Sequence, residues 1–401
     1  MLFKTKNAKL AFLFMMVYYT SYLARINYTA VISEMVTSTG MTKPMLSIAL
    51  TGTAIAYGSG QILSGICGDR FPSKKLVTGG LAVTVAMNLL IPFCTTHYQM
   101  AAVWFVNGLA QAFMWPPMVR LMAVFFSEEE YSRYMVRISW GSSFGTISMY
   151  LIAPLLISIH SWKLVFFFSA AFGFIMIFVW NRFCEEPAAV RTENKKEKGQ
   201  SVNLKVLFSP MMLCIMLAIM LHGMLRDGVT TWIPSYIAET YQMSNVVAIF
   251  TSVVLPIFSV LAFQLAGSFY RSVFTNPVMC ASVFFGTGMF SALALRLFAG
   301  NRAILSIVFA AVLTGCMHGV NLILIGMLPS FFKKHGLVAT MSGVLNSCTY
   351  LGSAVSTYGI ALLAENFHWN VTLDVWFIIA VAGTLLCLGN IRSWNKNVGN
   401  I

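Results

Sequence analysis

Charge is what this sequence has least of. Only 10% of its 401 residues are Asp, Glu, Lys or Arg, and the acids number 13 against 26 bases. Soluble domains carry roughly a quarter charged residues. So little charge beside 58% hydrophobic residues excludes an ordinary globular enzyme. Paired cysteines are missing as well. The eight cysteines stand singly, mostly inside apolar runs, and read as small packing residues rather than a disulfide framework or a zinc site. No glycine-rich phosphate loop adjoins a strand pattern, no His/Cys cluster has ligand spacing, and no nucleophile–base pair stands out. The expectation is therefore no catalytic residue, no metal and no cofactor.

Long apolar runs are abundant instead. Runs of about 20 apolar residues read as membrane spans. Twelve begin near residues 9, 44, 75, 98, 135, 163, 207, 244, 276, 302, 337 and 369. A second full-length run follows the first at once, so the first reads as a span and not as a cleaved signal. These patterns predict an all-α membrane protein of twelve transmembrane helices in two pseudo-symmetric six-helix bundles.

The net charge of +13 could suggest a nucleic-acid partner, but its distribution argues otherwise. Nineteen of the 26 bases fall at the termini or on alternate loops, and only Lys43, Lys163 and Arg302 lie clearly in the opposite loops. That asymmetry predicts a multi-pass protein of the cell membrane with both termini cytoplasmic. Its large partner is the lipid bilayer, with no nucleic acid, and the chain is expected to act as a monomer.

One long polar stretch, Arg182 to Lys205, separates the sixth and seventh runs and is too charged to pack. It divides the chain into a first bundle at 1–182, a cytoplasmic linker at 183–206 and a second bundle at 207–401. The halves echo one another. Arg226 follows Arg25 by 201 residues, Arg271 follows Arg70 by 201, and Lys334 follows Arg133 by 201. Positive-inside bias accounts for the two loop pairs but not for the mid-span pair. A parallel duplication with a substrate site between its halves fits a secondary transporter.

Arg25 and Arg226 each lie about sixteen residues into a span, near the bilayer midplane. A guanidinium there costs at least about 2.5–3.5 kcal/mol, so it usually faces a wet cavity and marks a pathway. Its planar fork suits phosphate or carboxylate. For Arg25 no acid lies within a helical turn. For Arg226 the adjacent Asp227 leaves a purely structural ion pair open. Polar and aromatic residues recur at helical spacing nearby: Tyr18, Tyr22 and Arg25 on one face, Tyr57 with Gln61, His318 with Asn321, and Asn346 with Tyr350. Taken singly, each pair is explained by interhelical packing. Together, around two central arginines, they predict a polar cavity. The acidic triplet Glu128 to Glu130 reads as a solvated loop end, with gating salt bridges to Arg133 and Arg137 as the weaker reading.

Gly65, Gly68, Asp69, Arg70, Lys74 and Lys75 fall between the second and third runs. They are read as a loop that resembles the glycine-spaced Asp-Arg motif of the major facilitator superfamily. The resemblance implies a gate that locks the outward-facing state, with Asp69 paired to Arg120. The echo at Gly267 and Arg271 lacks the acid.

More specific strings narrow the resemblance. They are YYTSYLARIN at Tyr18 to Asn27, the stretch Tyr57 to Arg70, NGLAQAFMWPPMVR at Asn107 to Arg120, RDGVTTWIPSY at Arg226 to Tyr236, and YLGS at Tyr350 to Ser353. Along its whole length the chain resembles the organophosphate:phosphate antiporters. The resemblance implies that Arg25 and Arg226 grip a phosphoryl group. It also implies that Tyr18, Tyr22, Tyr57, Tyr350 and Trp115 line the pocket. Gln61 stands where the family has a lysine, Ser142 where it has a histidine and His318 where it has a tyrosine, and Asp227 adds an acid, so this pocket is less basic. The implied activity is exchange of an organic phosphate for inorganic phosphate by alternating access. The alternatives are a proton-coupled symporter of a sugar acid or other organic anion, using Asp227 or His318, and a transporter-like membrane sensor.

Overall fold

The computed structural model describes residues 5–186, 208–243 and 245–397, and among them the chain is helical with no strand. From residue 187 onward, the expected linker lies outside the described residues. Packing divides the chain into two units.

The first unit contains α1 (Lys6–Thr39), α2 (Lys43–Arg70), α3 (Ser73–Leu90), α4 (His97–Ala112), α5 (Trp115–Phe125), α6 (Glu128–Ile159) and α7 (Trp162–Phe183). Residues 336–347 pack with it. The second unit contains α8 (Pro210–Tyr241), α9 (Asn245–Ser272), α10 (Pro277–Leu297), α11 (Ala303–Asn321), α13 (Trp369–Asn397) and, from residue 348 on, α12 (Val338–Asn366).

Counting 97–125 and 303–335 as one interrupted segment each, the described residues form twelve long helical segments. By length and composition alone, eight helices are apolar enough to cross a membrane. The other segments, α1, α2, the α4–α5 pair and α12, carry most of the side chains that form the candidate site. The two interruptions have local causes. Met114, Trp115, Pro116 and Pro117 restart the helix after α4, because a proline supplies no amide to the preceding turn and fits the first turn of a new helix. Beyond α11 the chain widens into a π-helical turn over Leu322–Met327 before tightening over Leu328–His335.

The duplication seen in the charges recurs in the packing. In the first unit α2 packs on α4 and α3 on α7; in the second, α9 packs on α11 and α10 on α13. The first unit's core is mostly aliphatic, with an aromatic group at its centre. Tyr28 stacks at 5.1 Å from Trp104, and Phe166 sits between Trp104 at 5.7 Å and Trp162 at 5.8 Å. Large apolar side chains such as Phe174, Phe178 and Phe290 face outward. A lipid solvent is as apolar as they are, so helix association rests on close packing and interhelical hydrogen bonds instead.

The acidic end of α2 corrects the sequence expectation. Residues 65–70 are helical, not a loop, and α2 runs through Arg70 before the chain turns at Phe71. The turn comes there because Pro72 disfavours a helical conformation in the residue before it. Gly65 faces the start of α12 so closely that a Cβ would lie 2.7 Å from the Ala339 carbonyl oxygen.

Candidate functional site

In the first unit, a helical step of four and then three residues puts Tyr18, Tyr22 and Arg25 on one face of α1. Packing then adds side chains from two other helices. The Arg25 guanidinium carbon lies 4.4 Å from the centre of the Tyr22 ring and 4.7 Å from that of Tyr57, on α2. Tyr18 stands 4.5 Å from Trp115, the first residue of α5, and 5.1 Å from Tyr22, with the two phenol oxygens 3.5 Å apart. The break before Pro116 and Pro117 puts the indole at the start of a helix, where it reaches Tyr18. The result is a cation held against two aromatic faces, a geometry that steadies a guanidinium and leaves it charged.

Behind this cluster α1 is fixed by amides. The Ala24 carbonyl accepts from Asn88 Nδ2 at 3.2 Å and from Asn107 Nδ2 at 3.3 Å. Asn27 Nδ2 donates to Asn88 Oδ1 at 2.7 Å and to Ser169 Oγ at 3.0 Å, while Ser21 Oγ donates to Gln111 at 2.8 Å. Gly145 of α6 packs where a Cβ would come within 2.8 Å of both the Tyr19 carbonyl oxygen and Tyr22 Cβ. These contacts set the depth and rotation of Arg25. The sequence reading missed Asn27, Asn88 and Gln111. Their signal was a buried amide in an otherwise apolar run.

Gln61 is fully buried, and its amide nitrogen reaches only the Ala112 carbonyl at 3.5 Å. Ser142 donates to the Ser139 carbonyl of its own helix at 2.7 Å. Asn346 is buried in the part of α12 that belongs to this unit.

In the second unit, Arg226 and Asp227 form a two-pronged pair. Nε donates to Oδ1 at 2.6 Å and Nη2 to Oδ2 at 2.8 Å. Ser353 Oγ, from α12, donates to the same Oδ2 at 2.5 Å. Its hydroxyl reaches Asp227 because glycines let α8 and α12 approach closely, Gly223 against Thr349 and Gly352 against Met220. Asp227 therefore pairs with Arg226 and also ties α8 to α12. Tyr350, one turn before Ser353, is half-buried.

Two histidines lie within electrostatic reach of this pair. His318 on α11 packs edge-on against Phe263 at 5.4 Å. His222, fully buried one helical turn before Arg226, interacts with Arg226, Asp227 and His318. The sequence reading missed His222, whose signal was its four-residue spacing from the arginine.

At the end of α2, Asp69 differs from expectation in its partners. Its Oδ1 accepts from the Ala339 amide at 2.9 Å and its Oδ2 from the Thr340 amide at 2.7 Å. Arg120 Nε is 3.9 Å from Oδ1, while Arg120 Nη1 donates to the Gly68 carbonyl at 2.7 Å. The carboxylate chiefly satisfies the first amides of α12, with Arg120 as a secondary partner. Arg70 is exposed. In the acidic triplet, Glu130 caps α6 and accepts from Asn7, and Glu129 pairs with Arg133.

Residues 10–357 match the family model of the Major Facilitator Superfamily. The glycerol-3-phosphate transporter of Bacillus subtilis is 24% identical over 405 residues, covering 93% of this chain and 89% of that protein. The membrane sensor protein UhpC of Salmonella typhimurium is 22% identical over 393 residues, covering 92% and 87%. A probable hexose phosphate transport protein of Chlamydia muridarum is 21% identical over 407 residues, covering 94% and 88%. Among solved structures, the Escherichia coli fucose:proton symporter FucP superposes with a TM-score of 0.77 at 12% identity, covering 96% of this chain and 99% of that one. That likeness is one of fold.

Proposed function

The chain belongs to the Major Facilitator Superfamily, and from that premise we propose that it carries a small phosphorylated organic anion across the cell membrane in exchange for inorganic phosphate. The observation that carries this reading is Arg25, a guanidinium inside a membrane span with its central carbon over the rings of Tyr22 and Tyr57, 4.4 and 4.7 Å from their centres. The planar fork of a guanidinium matches two oxygens of a phosphoryl group, and two aromatic rings steady this one. Arg226, at the corresponding place in the second half, supplies the other grip. Tyr18, Tyr22, Tyr57, Trp115 and Tyr350 give hydroxyls and apolar walls to the organic part. The names of the glycerol-3-phosphate and hexose phosphate relatives support a phosphorylated cargo.

Exchange by alternating access rests on the cost of carrying cationic side chains through the membrane. A bound anion removes much of that cost, so the loaded carrier reorients faster than the empty one. The positive-inside distribution supports cytoplasmic termini. Phosphate-loaded proteoliposomes test the proposal. Uptake of a labelled phosphate ester should be strongly stimulated by internal phosphate, and equal uptake with internal chloride alone would overturn exchange.

A second reading has its own support. Asp227, His222 and His318 gather titratable groups around Arg226, which suits a proton-coupled symporter of an organic anion. In that case an acid-outside pH gradient would drive net uptake without internal phosphate. Likeness to a membrane sensor supports a ligand-sensing role, which would show as ligand binding without transport.

A further inference from the structure

The first unit holds a cavity of about 480 Å³ that the transport reading does not use. It lies between the first turns of α1 and the end of α7. Lys6, Lys9 and Glu185 line one end, and Leu13, Met16 and Phe172 line the interior. From Lys6 to Met16 is ten residues of helix, about 15 Å. The cavity is thus polar at its mouth and apolar along its length, with outward-facing Ile175 and Phe183 on its rim.

The charges at the mouth favour an anion. Two exposed ammonium groups face one carboxylate, which pairs with Lys6 at 3.1 Å. The same end of the unit is basic more widely. Lys74 donates to the Asn181 carbonyl at 2.9 Å, next to Arg182 at the end of α7. Glu186 does not line the cavity and accepts from the Ser73 and Lys74 amides at 3.0 and 2.8 Å. Basic pockets of this kind, at the level of lipid headgroups, take anionic lipids.

We propose that this cavity is a binding site for one anionic phospholipid, its phosphate held by Lys6 and Lys9 and an acyl chain lying along Leu13, Met16 and Phe172. A phosphate at the mouth would displace Glu185 from Lys6. Binding would brace α1 against α7, and α1 carries Arg25.

Native mass spectrometry of the full-length protein, titrated with phosphatidylglycerol or phosphatidylcholine, tests this. The wild type should hold one phosphatidylglycerol in preference to phosphatidylcholine. Lys6→Gln with Lys9→Gln should lower that preference at least about fivefold, the effect of losing a single lysine near a headgroup. Lys6→Arg with Lys9→Arg should keep it, and Glu185→Gln should raise it. Phe172→Trp, which fills the interior, should weaken both lipids.

Equal retention of the two lipids, or unchanged preference in the double Gln variant, would overturn the proposal. So would loss of preference in the Arg variant, or a lipid-free dimer, which would make the groove a contact between two copies.

Discussion

Asp227 grips Arg226 by its side-on edge, Nε to Oδ1 at 2.6 Å and Nη2 to Oδ2 at 2.8 Å, as a bound carboxylate or phosphate would. The second arginine therefore already has an anion, one that belongs to the chain, and Ser353 holds that anion in place. Any substrate phosphate must use the remaining end of the guanidinium or compete with Asp227. Removing the carboxylate changes both the affinity for anions and the penalty on the empty carrier.

Asp227→Asn should make exchange stricter. Phosphate counterflow should persist while net uptake into phosphate-free vesicles falls, because the empty carrier then holds an uncompensated guanidinium. Paired counterflow and net-uptake assays read the two modes. Loss of both modes in a folded variant would move the mechanism toward proton symport.

Arg25→Lys keeps the charge but replaces a plane between Tyr22 and Tyr57 with a compact ammonium. Transport should drop below about a tenth of wild type, a loss of more than about 1.4 kcal/mol, with melting temperature little changed. Retained activity would remove the two-arginine grip.

Asp69→Asn leaves one acceptor oxygen for two amides, those of Ala339 and Thr340. One buried amide loses its partner, at about 1–3 kcal/mol. Hydrogen exchange at residues 339 and 340 should accelerate at least about fivefold. Unchanged protection would mean that Arg120, and not the helix start, is the partner that matters.

Two glycine replacements separate packing from propensity. Gly145→Ala puts a Cβ within 2.8 Å of Tyr19 and Tyr22 atoms, and it should destabilise by about 1–3 kcal/mol and weaken substrate binding. Gly79→Ala meets nothing within 4 Å, and it should stabilise by about 0.8–1.0 kcal/mol through helix propensity alone. Thermal unfolding in detergent measures both. Equal effects at the two sites would deny Gly145 its positioning role.

The sequence by itself determined the membrane class, the twelve segments and the common face of Tyr18, Tyr22 and Arg25. Each is a local property: apolar content sets the solvent, and a 3.6-residue repeat sets which neighbours along a helix share a side. Tertiary structure decided the rest. Only helix packing brings Tyr57 and Trp115, 32 and 90 residues beyond Arg25 in the chain, beside α1. Only packing gives Asp69 its partners 270 and 271 residues away, and turned the supposed loop at 65–70 into a helix end under α12. His222 is a mixed case. Its four-residue spacing from Arg226 on α8 was legible, but only the packing of α11 adds His318 to the group. For Asp227, sequence spacing leaves the side chain's rotamer undetermined. Close packing of glycines along α8 and α12 brings Ser353 within 2.5 Å of its carboxylate.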